Sequence, residues 1–85
     1  MKSFEYIITD ELGIHARPAG NLVNQSKNFE SIINITLADK TVSAKSIMAI
    51  MTLGAKKSDK ILITIEGSDE NEAYDVLLDF MAKNL

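Results

Sequence analysis

The sequence predicts an α+β fold: a four-stranded antiparallel sheet with three helices on one face, in the order β-α-β-β-α-β-α. Two observations carry this. The stretches 4–9, 33–37 and 61–65 alternate their side chains with period two, the repeat of a half-buried strand. The stretches 16–28, 46–53 and 69–83 instead place apolar residues three and four apart, the repeat of a helix with one apolar stripe. One-faced strands and one-striped helices bury both faces most economically against each other, which is the split-βαβ arrangement.

Each element has its own marks. Phe4, Tyr6 and Ile8 form the apolar side of the first strand, broken by Asp10-Glu11-Leu12-Gly13. Ala16, Ala19, Leu22 and Val23 then recur at helical spacing towards Lys27-Asn28, with Pro18 tolerable only in the first turn. Ile33, Ile35 and Leu37 make a second strand. Ala38-Asp39-Lys40 is turn-like, and Thr41-Val42-Ser43 pairs back as a short arm. Ser46 before and Gly54 after an apolar run mark the start and stop of a short helix. Ile61, Ile63 and Ile65 alternate again up to Gly67. Asp69 with Glu72 has capping-box spacing, and Ala73, Val76, Leu77, Phe80 and Met81 form the last stripe, with Lys83 suiting the helix dipole.

Length and composition exclude whole classes of function. Eighty-five residues are one core, so 1–85 is expected to be a single domain, a monomer, with any site at its surface. With no cysteine and one histidine there is no disulfide framework, thiol nucleophile, thiolate metal site or multi-histidine zinc site. Nothing calls for a cofactor. The net charge of −3 and the lack of a basic run longer than Lys56-Lys57 argue against nucleic acid. The longest apolar run, 47–51, is far too short to span a membrane, and the polar, acidic start is not a signal peptide. A cytoplasmic domain is expected.

The chemically informative stretch is Gly13-Ile14-His15-Ala16-Arg17-Pro18-Ala19-Gly20. It holds the sole histidine and the sole arginine, two apart, where a strand-exit loop meets a helix start. The N-cap is His15, Ala16 or Arg17, because Pro18 biases Arg17 away from helical backbone. In each case the imidazole faces the free N–H groups of a helix N-terminus, which favour anions. Arg17 adds a planar fork suited to phosphate oxygens. Neutral imidazole is a nucleophile at phosphorus, and the same donors would stabilise the dianionic phosphohistidine formed. An exposed loop histidine beside a helix-start arginine is the plainer account of the same residues.

The chain resembles the HPr family, the histidine-containing phosphocarriers of the bacterial sugar phosphotransferase system. The resemblance rests on Gly-Ile-His-Ala-Arg-Pro-Ala at 13–19 and on Lys45-Ser46-Ile47-Met48-Ala49-Ile50-Met51-Thr52-Leu53-Gly54, and extends along essentially the whole chain. It implies an open-faced β-sandwich. It implies a relay in which enzyme I, charged by phosphoenolpyruvate, phosphorylates His15 on Nδ1, Arg17 contacts the phosphate, and the group passes to sugar-specific IIA domains. Such a protein is a substrate of enzymes, with no turnover of its own. The second segment resembles the Gram-positive pattern, implying phosphorylation of Ser46 by HPr kinase/phosphorylase and corepression with a catabolite control protein. Two residues depart from what the resemblance implies: Ala49 stands for the glycine usual in the Gram-positive pattern, and Gly20 for the more common alanine or threonine.

Other residues keep two readings. Ser46 is explained as a helix cap alone. Ile47, Ile50 and Leu53 follow one line along the short helix, and Met48 and Met51 another. Ile47, Met48 and Met51 form a partner surface if the helix leaves them exposed, and Met adapts to several partners. Otherwise the helix is buried on both sides. Lys27, Lys45, Lys56 and Lys57 read as solvated surface, and Asp69, Glu70 and Glu72 as helix-start charges. Two rivals to the carrier remain: a small phosphatase using Arg17 to grip phosphate and His15 as acid, and a regulatory module with no chemistry at His15.

Overall fold

The computed structural model describes residues 1–85. The elements are β1 (Lys2–Ile7), α1 (Ala16–Ser26), β2 (Ile32–Leu37), β3 (Lys40–Ser43), α2 (Ile47–Leu53), β4 (Lys60–Glu66) and α3 (Glu70–Asn84), in the order the sequence predicts. The four strands form one antiparallel sheet in the order β1-β4-β2-β3.

Register follows from which side chains need burial. Ile63 lies opposite Phe4 on β1 and Ile35 on β2, and Ile65 lies opposite Ile33, so the inner face is a continuous apolar layer. A slip of one residue would send that layer to the solvent side. The opposite face carries Ser3, Glu5, Asn34, Thr36, Thr41 and Thr64, and no helix covers it. The sandwich is therefore open-faced. Ala19, Leu22 and Val23 of α1, Ile50 and Leu53 of α2, and Ala73, Leu77, Phe80 and Met81 of α3 complete the core from the helical side. Phe4 meets the edge of Tyr74 with ring centres 5.5 Å apart, which fixes α3 across β1.

Several local expectations need correction. The capping box at α3 does not form: Asp69 is the N-cap but makes no side-chain cap bond. Its carboxylate instead accepts the backbone N–H groups of Glu30 (2.8 Å) and Ser31 (3.0 Å) and the Ser31 hydroxyl. These donors, first the hydroxyl and then the Glu30 N–H, hold the Asp69 carboxyl below the usual carboxylate range. Asp69 thus ties the α1–β2 loop to the start of α3, a tertiary bond that outcompetes a local one. Ala16 is exposed and Val76 only half-buried, so each apolar stripe is narrower than its spacing suggests. Lys45 is not simply solvated, since its ammonium donates to the Phe29 carbonyl at 2.7 Å.

Candidate functional site

His15 stands where the loop leaving β1 becomes α1, and that loop is held from three sides. Asp10 organises its turn: one carboxylate oxygen accepts the Leu12 N–H at 2.8 Å, and its carbonyl accepts the Gly13 N–H at 3.0 Å. The Thr9 hydroxyl and the Asp10 N–H both donate to the Leu85 carbonyl, at 2.9 and 2.8 Å, so the end of α3 braces the loop. Gly13 has φ +66°, and a Cβ there would lie 2.3 Å from the Ala55 carbonyl oxygen. Only glycine allows this approach, which lets the next N–H, that of Ile14, donate to the same oxygen at 3.0 Å. The Ile14 side chain is buried beneath the loop. The imidazole is therefore carried on a braced support.

His15 itself is the N-cap of α1, with extended backbone (φ −92°, ψ −177°), which settles the open choice of cap. Its carbonyl accepts the Ala19 N–H at 3.0 Å, but its ring does not cap the helix. Arg17 takes helical backbone in spite of the proline after it, and Pro18 lies in the first turn, where no intrahelical donor is required. The ring is 35% exposed, and Nε2 lies 3.9 Å from Oδ2 of Asp10. The Arg17 guanidinium is exposed and in no ion pair. Asp10, His15, Arg17, Pro18, Asn21 and Asn84 line a shallow polar cavity of about 210 Å³.

This arrangement suits a small tetrahedral anion that arrives from solvent and leaves again. The N-terminal N–H groups of α1 and an unpaired guanidinium supply positive potential. The ring lies at the rim, where a second protein could reach it. The cavity is shallow and open, so a second protein surface can approach the ring directly.

The second predicted segment forms α2. Ser46 is its N-cap, with the hydroxyl accepting the Ala49 N–H at 3.2 Å, and Gly54 closes the helix in the left-handed conformation. Ile50 and Leu53 are buried, whereas Ile47, Met48 and Met51 are 43%, 75% and 44% exposed. Ile47, although in line with Ile50 and Leu53 along the helix, is exposed with the two methionines. Its Cδ1 lies 3.7 Å from the place a Cβ would take at Gly20, which sets α2 directly beside the helix that His15 begins.

The comparisons with known proteins agree with this layout. Residues 2–83 match the family model described as the PTS HPr component phosphorylation site. The chain belongs to the HPr family. A phosphocarrier protein HPr of Lysinibacillus sphaericus is 38% identical over 77 residues, covering 91% of this chain and 88% of the relative. The solved histidine-containing phosphocarrier protein of Mycoplasma superposes with a TM-score of 0.94 at 35% identity, covering 96% of this chain and 93% of that one. A phosphocarrier protein HPr from Bacillus anthracis gives a TM-score of 0.86 at 38% identity, with 94% and 95% covered. HPr membership gives the chain a phosphotransfer role in the phosphotransferase system, as a phosphocarrier rather than a catalyst in itself. No helix is long and apolar enough to cross a membrane.

The structure brings His15 and Arg17 to one cavity and places Ser46, Ile47, Met48 and Met51 on the neighbouring helix. Sequence reasoning missed three residues that line the cavity with the ring. Asp10 passed as a strand breaker, although an Asp three residues before a glycine is a turn former whose carboxylate stays close to the turn. Asn21 lies one and a half turns into α1 and Asn84 at the far end of the chain, so no local pattern announces them. Leu12 is exposed in the same loop.

Proposed function

We propose that the chain carries a phosphoryl group on Nδ1 of His15, taken from phosphoenolpyruvate-charged enzyme I and given to sugar-specific IIA domains. In each step a lone pair forms a bond to phosphorus as the donor's bond to phosphorus breaks, and the leaving pair stays with the donor. Arg17 and the α1 N-terminus hold the phosphoryl oxygens. Ile47, Met48 and Met51 form the adaptable apolar surface on which the partners dock. The observation that carries this reading is a half-exposed ring at a helix N-terminus, in a shallow cavity shared with an unpaired arginine.

Ser46 is the regulatory site in this reading, modified by an HPr kinase/phosphorylase. A phosphate there sits at the start of α2, where the dipole tolerates it, and adds a charge of about −1.5 to −2 beside the docking surface. The Ser46-phosphorylated form then serves a catabolite control protein as corepressor. The protein works as a cytoplasmic monomer.

The test is incubation with phosphoenolpyruvate and enzyme I, with and without a IIA domain. Acid-labile phosphate on the protein, absent from His15→Ala with an unchanged circular dichroism spectrum, supports the carrier. Turnover of an acyl phosphate without a partner would indicate the phosphatase. A protein that neither accepts phosphate nor turns it over would be a binding module.

A further inference from the structure

The ring of His15 has two nitrogens, and a phosphoacceptor must leave one of them with a free lone pair. In neutral imidazole the other nitrogen then carries the proton, and that choice is set by what the second nitrogen faces. Here Nε2 faces the Asp10 carboxylate at 3.9 Å. At this distance the carboxylate acts on the ring through its charge and not through a direct hydrogen bond, whose N···O distance is about 1 Å shorter. The carboxylate is also unusually well fixed for a loop residue. Its other oxygen takes the Leu12 N–H, its own N–H is bound to the Leu85 carbonyl, and its carbonyl takes the Gly13 N–H. Asp10 therefore presents a negative oxygen to one nitrogen of the ring and has little freedom to move to the other.

We propose that Asp10 is a positioning residue that holds the proton of His15 on Nε2 and so keeps the Nδ1 lone pair free for phosphorus. The proposal rests on the carrier reading and adds a residue to it. When Nδ1 bonds to phosphorus, Nε2 keeps its proton and the ring gains positive charge. The Asp10 carboxylate offsets that charge without itself taking the proton. In the onward step the bond from phosphorus to Nδ1 breaks, its electron pair returns to Nδ1, and the ring leaves as neutral imidazole with the proton still on Nε2. Both groups are about one-third exposed, so the effect is that of a partly screened pair.

The discriminating variant is Asp10→Asn. Its side-chain oxygen can still accept the Leu12 N–H and keep the turn, while its amide would turn a donor towards Nε2. The Nε2–H form then loses its acceptor and the Nδ1–H form gains favour. Nitrogen-15 NMR of the unphosphorylated protein reads the tautomer directly, at a pH where the ring is neutral and at low salt. The expected result is a mainly Nε2–H ring in the wild type and a shift towards Nδ1–H in Asp10→Asn. Phosphoryl transfer from enzyme I should also slow about two- to fivefold, the range of a partly exposed charge contact. The slowing should shrink as salt is added, as a structural fault would not. Identical tautomer ratios in the two proteins would overturn the proposal. The tautomer is measured without any partner. A protein that shows the shift but never accepts phosphate would therefore overturn the carrier reading instead.

Discussion

Gly13→Ala tests whether the support beneath His15 is as tightly clasped as its geometry indicates. The new methyl would have to occupy a left-handed backbone, at a cost of about 1–2 kcal/mol. It would also stand 2.3 Å from the Ala55 oxygen and 2.8 Å from the Lys56 Cα, both backbone atoms that cannot rotate away. Overpacking of this kind costs about 1–3 kcal/mol. Relief by moving the two loops apart sacrifices the Ile14 to Ala55 hydrogen bond, worth about 1 kcal/mol. The expected loss is about 2–5 kcal/mol, a large part of a small domain's roughly 5–15 kcal/mol. The control is Gly20→Ala, seven residues on. Its Cβ would meet only the Ile47 Cδ1, at an ordinary 3.7 Å, inside a regular helix. That variant should gain about 0.5–1 kcal/mol. Urea unfolding of the two variants and the wild type measures both signs in one experiment. If Gly13→Ala loses less than about 1 kcal/mol, or Gly20→Ala is the more harmful, the clasp reasoning fails.

Three further outcomes are expected. Arg17→Lys keeps a charge but loses the fork, so transfer from enzyme I should slow by about 1–3 kcal/mol in barrier, with the melting temperature unchanged; equal rates would place Arg17 outside the site. Ser46→Asp keeps a preferred N-cap, so it should slow phosphorylation of His15 without lowering the melting temperature, whereas Ser46→Ala should transfer normally and lose about 0.5–1 kcal/mol of stability; a wild-type transfer rate for Ser46→Asp would reduce Ser46 to a cap. Asp69 has a lowered carboxyl value in the folded state, so its stabilisation is complete above the ordinary value of about 3.9 and fades as pH falls through the folded value. Asp69→Asn should therefore be less stable than wild type at neutral pH, with the gap closing below about pH 4; a gap independent of acid would mean the carboxylate charge contributes nothing.

Much of the architecture was legible because burial imposes a period. Ile61, Ile63 and Ile65 announce a strand, and the structure buries all three. The strand order was not legible, because β1-β4-β2-β3 depends on pairings between distant segments that no local repeat encodes. His15 and Arg17 were legible for a chemical reason: each is unique in the chain, and they sit two apart at a helix start. Asp10 and Asn84 were not, since their place beside the ring depends on how the ends of β1 and α3 meet. Asp69 shows the opposite failure. Its local pattern promised a capping box, and a tertiary partner, Ser31, took the carboxylate instead.

The position of β4 has a consequence for the order of events as the chain folds. Strand β4 is inserted between β1 and β2, pairing Lys2 with Ile65 and Ile33 with Ile65. Of the three ladders, only the β2–β3 hairpin joins neighbouring segments. The other two must close long loops before any contact rewards them, which slows folding and leaves little room for stable part-folded chains. A nascent chain emerging from the ribosome would show its histidine early yet could not seat β1 until β4 had followed. The loop beneath the ring would wait longer still, because its brace at Leu85 follows both β4 and the whole of α3. The motif is thus made well before the segments that fix its shape, and a chain interrupted before α3 would display the residues of the site without its geometry.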